Sequence, residues 1–265
     1  MNSLAVVSAD LPFYQTIAGE KELFEHCQKN HLPLMLKGPT GSGKSRFVEH
    51  MAAKLGRELI TVACHDDTTA TDLVGRYLVK GGDTVWQDGP VTRAVRTGAI
   101  LYLDEIAEAR PDVVVVIHPL ADHRRELFLE RHGENLAAPD SFMLVVSFNP
   151  NYQRGLKDLK PSTRQRFVGL NFGYPEPGLE CDILLGETGA DKKMAEKLVK
   201  LAGRLRAMDE LGLAEVPSTR LLVDAARLIT SGYPARAACG AAIVEPLTDD
   251  REVAEAMNDV VALIF

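Results

Sequence analysis

One glycine-rich segment constrains the fold of this chain more than any other feature. A short apolar run at residues 32–37 precedes it and predicts a buried strand. Apolar residues at helical spacing over 46–55, followed by Gly56, predict a helix directly after it. Between a strand and a helix, the pattern G-x-x-x-x-G-K-[ST] is typical of a phosphate-binding loop, or P-loop. The loop consists of Gly38, Pro39, Thr40, Gly41, Ser42, Gly43, Lys44 and Ser45.

The residue types of this loop suit a nucleoside triphosphate and its magnesium ion. Glycines let the backbone wrap tightly and turn its N–H groups inward around an anion, and the following helix presents its positive N-terminal end. We expect Lys44 to bridge the β- and γ-phosphates and the Ser45 hydroxyl to bind Mg²⁺. A glycine-rich turn that binds nothing is the alternative, but the flanking strand and helix favour binding. The sequence therefore predicts ATP-type chemistry with Mg²⁺.

An apolar run at residues 99–105 ends in two carboxylates, Asp104 and Glu105. Such a run fits a central parallel strand that becomes polar only at its carboxyl end. With a P-loop upstream, it forms a Walker B motif, in which Asp104 holds the Mg²⁺ shell and Glu105 activates the attacking water as general base. Without the P-loop, the same Asp-Glu pair would fit the start of a solvated loop.

A further buried strand is predicted at residues 142–149, and it ends in Asn149. At the carboxyl end of a central strand, this side chain is placed to hydrogen-bond the γ-phosphate or the lytic water. An Asn that merely forms a turn before Pro150 is the alternative.

Three arginines stand out because of their positions. Arg164 and Arg166 follow a short predicted helix and resemble an arginine finger, which reaches the γ-phosphate of a neighbouring subunit; either is also compatible with a surface charge. Arg220 falls in the first turn of a helix that Ser218 caps. Because cations are disfavoured at helix N-termini, Arg220 indicates a nearby anion, with a solvated arginine as the alternative.

The pattern of strands and helices predicts two domains. A Pro- and Gly-rich segment at residues 174–178 separates an α/β core at residues 1–174 from an all-α lid at 175–265. We expect the core to contain a parallel five-stranded sheet flanked by helices. The pattern at residues 77–90 predicts a hairpin, which carries the only Trp of the chain. A helix is predicted after Pro111, and a separate strand is predicted at 126–129. The lid helices are predicted from 194 to about 212, at 218–229, at 235–244 and at 251–264.

Composition narrows the function classes. A formal net charge of −7 argues against general nucleic-acid binding, although a chain with this net charge could still contain a local basic pore. The 4 cysteines lack a C-x-x-C pair and are expected to be reduced thiols, and no histidine spacing indicates a metal site. No apolar stretch is long enough to span a membrane, and the N-terminus lacks signal-peptide features. We therefore expect a soluble, cytoplasmic protein.

Taken together, these motifs resemble the AAA+ ATPases, and more narrowly the CbbQ/NorQ group of the MoxR branch. The resemblance extends from about Phe13 to the C-terminus. Its P-loop and Walker B segments are generic, whereas the segment at 161–167 is more specific. The segments that carry it are 38–45, 101–106 (LYLDEI), 147–150 (SFNP), 161–167 (PSTRQRF) and 217–220 (PSTR).

The resemblance implies functions for several of these residues. Asn149 would be sensor 1, Arg220 would be sensor 2, and the hairpin would face the central pore of a hexameric ring. Members of this group act with a partner that carries a von Willebrand A-type domain. CbbQ proteins work with CbbO to remove inhibitory sugar phosphates from Rubisco, and NorQ proteins work with NorD to mature nitric oxide reductase. We expect Rubisco as the client, on resemblance alone, while carboxysome association and the choice between Arg164 and Arg166 as finger stay open.

Two other function classes are compatible with a P-loop. A small-molecule kinase would need an acceptor pocket and a mobile lid between strands, whereas the Asp104–Glu105 pair suits water activation better. A nucleotide-dependent binding switch would show almost no steady-state ATP hydrolysis, and this separates it from a motor.

Overall fold

The computed structural model describes residues 11–150, 159–208 and 212–265, so the first ten residues of the predicted core lie outside it. The described chain divides into two compact units. The first contains Gly19–Lys37 and Ser45–Asn171, and the second contains Phe13–Ala18, Gly38–Lys44 and Phe172–Phe265. Among the described residues, no helix is long and apolar enough to cross a membrane.

A parallel sheet organises the first unit. The strands of the unit are β1 (Leu34–Lys37), β2 (Leu59–Ala63), β3 (Gly75–Lys80), β4 (Asp83–Asp88), β5 (Ile100–Asp104), β6 (Glu126–Leu129), β7 (Glu134–Ala137), β8 (Met143–Phe148) and β9 (Val168–Asn171). The strand order of the sheet is β2-β5-β8-β1-β9, and all four pairings are parallel, which confirms the predicted five-stranded sheet. Every residue of β8 is buried, as expected for a central strand that helices cover on both faces.

The helices up to residue 164 follow local sequence signals. The valine-rich segment after Pro111 is helical, as predicted, because its buried positions Val113 and Ile117 are one helical turn apart and Val115 is exposed. Gly98 ends the preceding helix in the left-handed conformation, with φ 69°. These helices are α1 (Glu20–Lys29), α2 (Lys44–Lys54), α3 (Ala70–Val74), α4 (Pro90–Thr97), α5 (Pro111–Ile117) and α6 (Pro161–Arg164).

Two antiparallel hairpins extend the first unit. The predicted hairpin is β3–β4, and its turn uses Gly81 and Gly82, both with positive φ. A second hairpin pairs β6 with β7. The sequence predicts only the first of its two strands, because β7 is short, polar and partly exposed and so lacks the apolar alternation of a strand.

The second unit is mainly helical. One of its helices begins at Pro177, within the Pro- and Gly-rich segment 174–178, because proline is acceptable in the first turn of a helix. The next helix ends at Arg206, earlier than the predicted end near Gly212, whereas the Ser218 cap is confirmed by its acceptance of the Leu221 N–H. The helices are α7 (Pro177–Thr188), α8 (Lys192–Arg206), α9 (Thr219–Thr230), α10 (Ala235–Cys239), a π-helical turn at Gly240–Val244, and α11 (Arg251–Ile264).

Candidate functional site

A hydrogen-bonded cluster surrounds Asp104 at the carboxyl end of β5. The Ser45 hydroxyl, in the first turn of α2, donates to Asp104 Oδ2 over 3.1 Å. The phenol of Tyr102 donates to Asp104 Oδ1 over 2.7 Å and lies 3.2 Å from the Ser45 Oγ. Side chains two residues apart on a strand share a face, and for this reason Tyr102 reaches the carboxylate. The motif residues Ser45 and Asp104, predicted from separate parts of the sequence, are thus in contact.

The neighbouring strand β8 adds a third hydroxyl to this cluster. Ser147 is fully buried, and its Oγ donates to Asp104 Oδ1 over 2.5 Å. The same Oγ accepts the backbone N–H of Glu105 over 3.1 Å. Ser147 therefore holds the two acidic residues of the Walker B motif in a fixed relation.

Glu105 has an uncommon backbone conformation. Its φ of 53° and ψ of 48° lie in the left-handed region, which few residues other than glycine adopt. The strand stops at Asp104, and a short 3-10 helix, Ile106–Glu108, begins directly after Glu105. A conformation of this kind costs about 1–3 kcal/mol and occurs often at active sites. The half-buried Glu105 side chain is therefore carried by a backbone that departs sharply from the strand.

Asn149 follows β8 directly and is half-buried. Because β5 and β8 are adjacent parallel strands, their carboxyl ends lie at one edge of the sheet. Asp104, Glu105 and Asn149 therefore share that edge, where ligands of open parallel sheets bind.

The Walker B carboxylates also act on a nearby cysteine. The backbone N–H of Cys64, just after β2, donates to the Asp104 carbonyl over 2.9 Å. Burial, followed by the charges of Asp104 and Glu105, raises the pKa of the Cys64 thiol to about 12. The four cysteines of the chain are free thiols, as the sequence predicts.

In the second unit, the P-loop folds back around its own lysine. Lys44 is buried, and its Nζ donates to the carbonyl oxygens of Gly38 over 2.8 Å and Pro39 over 2.9 Å. The Ser42 hydroxyl also donates to the Pro39 carbonyl, over 2.8 Å. Gly43 has a φ of 92°, a conformation that side-chain-bearing residues rarely adopt. This geometry matches the wrapped loop that the sequence predicts.

The P-loop is closely packed within the second unit. A Cβ on Gly38 would lie 2.2 Å from the Phe172 carbonyl oxygen, and one on Gly41 would lie 2.4 Å from the Ser218 Oγ. Only glycine fits at these two positions without displacing the backbone or the capping serine. The same hypothetical Cβ on Gly41 would lie 3.2 Å from the Cβ of Arg220. Arg220, exposed at the start of α9, therefore lies beside the P-loop, as the anion-based interpretation of its position requires.

Two polar contacts tie Thr40 of the P-loop to the surrounding chain. The Thr40 hydroxyl donates to Glu215 Oε1 over 2.8 Å. The Tyr174 hydroxyl donates to the Thr40 carbonyl over 3.3 Å. Neither Glu215 nor Tyr174 belongs to a recognised motif, and the sequence therefore does not predict these contacts.

A buried ion pair fixes the start of α9, which carries Arg220. Glu180 is fully buried and accepts two hydrogen bonds of 2.8 Å from Arg206. The Thr219 hydroxyl donates to the same carboxylate over 2.6 Å, and Arg206 Nε donates to the Pro217 carbonyl over 2.8 Å. Arg206 also lies over the Tyr174 ring, with 4.4 Å from its Cζ to the ring centroid. This pair joins α7, α8 and the N-terminus of α9.

The two candidate finger arginines differ in environment. Arg164 is exposed, and its Cζ lies 5.3 Å from the centroid of the Phe148 ring. Arg166 is half-buried and donates from Nη1 to the Ser162 carbonyl, while its buried Nε has no hydrogen-bond partner among the described residues. Burial lowers the pKa of His118, and the charge of Arg166 adds to this effect.

The donor set around Asp104 fits a magnesium ion. A serine hydroxyl and a carboxylate are hard oxygen ligands of the kind that Mg²⁺ prefers. The described residues contain no cluster of three or more His, Cys, Asp or Glu that would suit another metal. Tyr102 and Ser147 escape a sequence-based search, since a Tyr and a Ser inside apolar strands resemble core residues. The spacing of Tyr102, two residues before Asp104, is the signal that could have identified it.

Comparisons with known proteins agree on one family. Residues 33–167 match the family model of the AAA domain (dynein-related subfamily), and residues 180–264 match that of the CbbQ/NirQ/NorQ C-terminal region.

Similar relatives match over nearly their whole lengths. The chain is 56% identical to Protein NorQ of Paracoccus denitrificans, over 97% of this chain and 96% of that protein. It is 56% identical to the denitrification regulatory protein NirQ of Pseudomonas aeruginosa, with coverages of 95% and 97%. It is 52% identical to Protein CbbQ of Hydrogenophilus thermoluteolus, with coverages of 96% and 95%.

A solved structure supports the fold. The crystal structure of a provisionally assigned ATPase from Cytophaga hutchinsonii superposes with a TM-score of 0.51. The superposition covers 94% of this chain and 90% of the Cytophaga chain, and the two sequences are 13% identical. At that identity the likeness concerns the fold alone.

Proposed function

Because the chain belongs to the CbbQ/NirQ/NorQ group of MoxR-type AAA ATPases, we propose that it hydrolyses ATP to ADP and phosphate in order to remodel a partner protein. The observation that carries this proposal is the 3.1 Å hydrogen bond between the Ser45 hydroxyl and the Asp104 carboxylate. It joins the last residue of the P-loop to the first acid of the Walker B motif. A glycine-rich turn that binds nothing would not require the Ser45 hydroxyl and the Asp104 carboxylate, both magnesium ligands by type, to be in contact.

The phosphates of ATP are bound by the P-loop. The glycines at 38, 41 and 43 provide a chain path that side chains would block or strain, and this leaves backbone N–H groups to face an anion. Lys44 turns its ammonium group from the loop carbonyls to the phosphates, because charged oxygens are stronger acceptors than carbonyls. Pro39, Thr40 and Ser42 shape the loop, and Arg220 contributes a positive charge from the lid.

Ser45 and Asp104 would hold the magnesium ion. When bound, Mg²⁺ neutralises charge on the phosphate oxygens. Asp104 keeps its carboxylate orientation through its hydrogen bonds from neighbouring hydroxyls. Both residues act by position and need no proton transfer.

Glu105 takes the proton of the attacking water as general base, and Asn149 orients that water or the γ-phosphate. Support for Glu105 comes from its left-handed backbone and from the hydrogen bond of its N–H to Ser147, which together fix it at the ligand-binding edge of the sheet. A water-activating carboxylate next to the magnesium ligand favours hydrolysis over transfer to a small-molecule acceptor. This pair of acids is the reason for preferring an ATPase to a kinase.

We infer a hexameric ring in which ATP is shared between neighbours. Arg164 or Arg166 supplies the arginine finger in trans, and both stay candidates. Arg164 is supported by its exposed position, and Arg166 by a buried Nε that has no hydrogen-bond partner in the part of the chain that the structure describes. The domains proposed are a core at 1–174 and a lid at 175–265, and the gap between the two matched family regions, at 168–179, supports that boundary.

For the client, we propose Rubisco, acting with a CbbO-like partner that carries a von Willebrand A-type domain. Maturation of nitric oxide reductase is a second candidate, since two of the similar relatives are named NorQ and denitrification regulatory protein NirQ. The identities of 56% and 52% lie close together and favour neither client strongly.

A trapping experiment tests this proposal. A tagged Glu105→Gln chain, incubated with ATP in lysate of its own host, is expected to retain its ring partners and its client. Purified Rubisco carrying an inhibitory sugar phosphate is then offered to the unaltered ring with its partner, and restored carboxylation is measured. Failure with Rubisco but improved activity of nitric oxide reductase would move the client to the second candidate. An unaltered chain without steady-state ATP hydrolysis would instead favour the binding switch.

A further inference from the structure

The strand that carries the Walker B motif contains a polar group that no motif explains. Tyr102 is 1% exposed, and its ring fills the core like the leucines beside it. A phenylalanine would fill nearly the same volume, so packing alone does not require the hydroxyl. A buried tyrosine hydroxyl normally needs a hydrogen-bond partner, and here the partners are the two proposed magnesium ligands, Ser45 and Asp104.

The two oxygens of Asp104 have different surroundings. Oδ1 accepts from two buried hydroxyls, those of Tyr102 over 2.7 Å and Ser147 over 2.5 Å. Oδ2 accepts from Ser45 over 3.1 Å. Two donors on one oxygen fix the rotation of the carboxylate group. They leave Oδ2, with Ser45, as the pair of oxygens suited to a metal.

The Tyr102 oxygen also serves Ser45. A serine hydroxyl has one proton to donate and two lone pairs. When Ser45 turns a lone pair to a cation, an acceptor separate from Asp104 would let Ser45 give up its proton without occupying the carboxylate oxygen that faces the same cation. The Tyr102 oxygen is 3.2 Å away and has already given its own proton to Asp104, so it has lone pairs to accept this one.

We propose that the Tyr102 hydroxyl is a positioning group of the magnesium site, which orients Asp104 by donating to Oδ1 and orients Ser45 by accepting its proton. This inference rests on the proposed function of the P-loop and Walker B residues. It goes beyond that function by adding a tyrosine that itself touches neither nucleotide nor metal. Ser147 assists by donating to Asp104 Oδ1.

Tyr102→Phe tests the inference, because it removes one oxygen and keeps the ring. Binding of the non-hydrolysable analogue AMP-PNP is measured by calorimetry in EDTA and over a series of MgCl₂ concentrations. In EDTA the affinity of Tyr102→Phe is expected to equal that of the unaltered chain. The magnesium concentration that gives half of the affinity gain is expected to rise about tenfold, in line with the loss of other outer-shell partners of metal ligands.

Two further variants make the result specific. Tyr233→Phe removes an exposed phenol hydroxyl from the second unit and is expected to leave both measurements unchanged. Ser147→Ala removes the other donor to Asp104 Oδ1 and is expected to shift the magnesium dependence in the same direction as Tyr102→Phe. If Tyr102→Phe fails to fold, Ser147→Ala still tests whether a donor to Asp104 Oδ1 affects the magnesium dependence, and an unchanged titration would then count against the inference.

The possible outcomes separate this inference from the proposed function. If the unaltered chain responds to magnesium and Tyr102→Phe follows the same titration within twofold, the inference is wrong and the function stands. The inference would also be wrong if Tyr102→Phe lost as much AMP-PNP affinity in EDTA as in MgCl₂. The hydroxyl would then affect nucleotide binding through the general structure of the site and not through magnesium. If the unaltered chain binds no AMP-PNP under any condition, the proposed function fails, and the inference fails with it.

Discussion

Arg206 and Glu180 form a bidentate ion pair inside the helical unit, and both of its hydrogen bonds are 2.8 Å long. The Glu180 side chain is 1% exposed and that of Arg206 is 18% exposed. Through Thr219 and Pro217, the pair also binds the segment that begins α9. Because Arg220 follows Thr219 directly, the position of this proposed sensor beside the P-loop depends on the pair.

We predict that Arg206→Ala destabilises the helical unit strongly, because it leaves the Glu180 carboxylate buried without its cation. Removing one partner of a buried ion pair typically costs about 3–5 kcal/mol. Urea unfolding, followed by circular dichroism, measures the loss. The matched control is Arg227→Ala, whose 3.4 Å pair with Glu187 involves an arginine that is 54% exposed and should contribute less than about 1 kcal/mol. Equal effects of the two substitutions would contradict a structural role for the pair.

We predict that Lys44→Ala abolishes ATP binding, since it removes the ammonium group that the P-loop holds at its centre. Affinity for a fluorescent ATP analogue is the measurement. Lys54→Ala is the control, because this lysine lies at the far end of α2 in an exposed pair with Glu25. Unchanged affinity in Lys44→Ala would rule out the P-loop as the phosphate site.

Glu105→Gln is expected to bind ATP and assemble normally but to hydrolyse it about 10²–10⁴-fold more slowly, the usual contribution of a general base. The amide has the shape of the carboxylate but accepts no proton at neutral pH. Phosphate release gives the rate, and nucleotide binding is measured on the same sample. Turnover near that of the unaltered chain would assign the base elsewhere. Glu108→Gln, three residues further along, is the control for the loss of a negative charge nearby.

The sequence predicts the five-stranded parallel sheet well, because long apolar strands around a glycine loop leave few alternatives. It misses Tyr102, since a tyrosine in an apolar strand looks like core, and its role depends on the contact with Ser45, 57 positions away. It places α7 in the all-α lid but predicts no bounds for this helix, because Pro177 and Gly178 favour turns locally, whereas packing of Leu184 into the helical core favours the helix. Contacts between residues distant in sequence decide both cases, and no local pattern reports them.

The last prediction concerns the arginine finger. If ATP is bound between subunits, a ring of Lys44→Ala chains cannot bind the phosphates but still carries its finger arginines. A ring of arginine variants binds the phosphates but lacks the finger. Mixing Lys44→Ala with Arg164→Ala, and separately with Arg166→Ala, should restore part of the ATPase rate only where the mutated arginine acts in trans. Arg164 is exposed and lies over the Phe148 ring, whereas Arg166 is half-buried and would have to release the Ser162 carbonyl. Recovery in one mixture identifies the finger. Absence of recovery in both, with rings shown to mix by native mass spectrometry, would rule out a shared site.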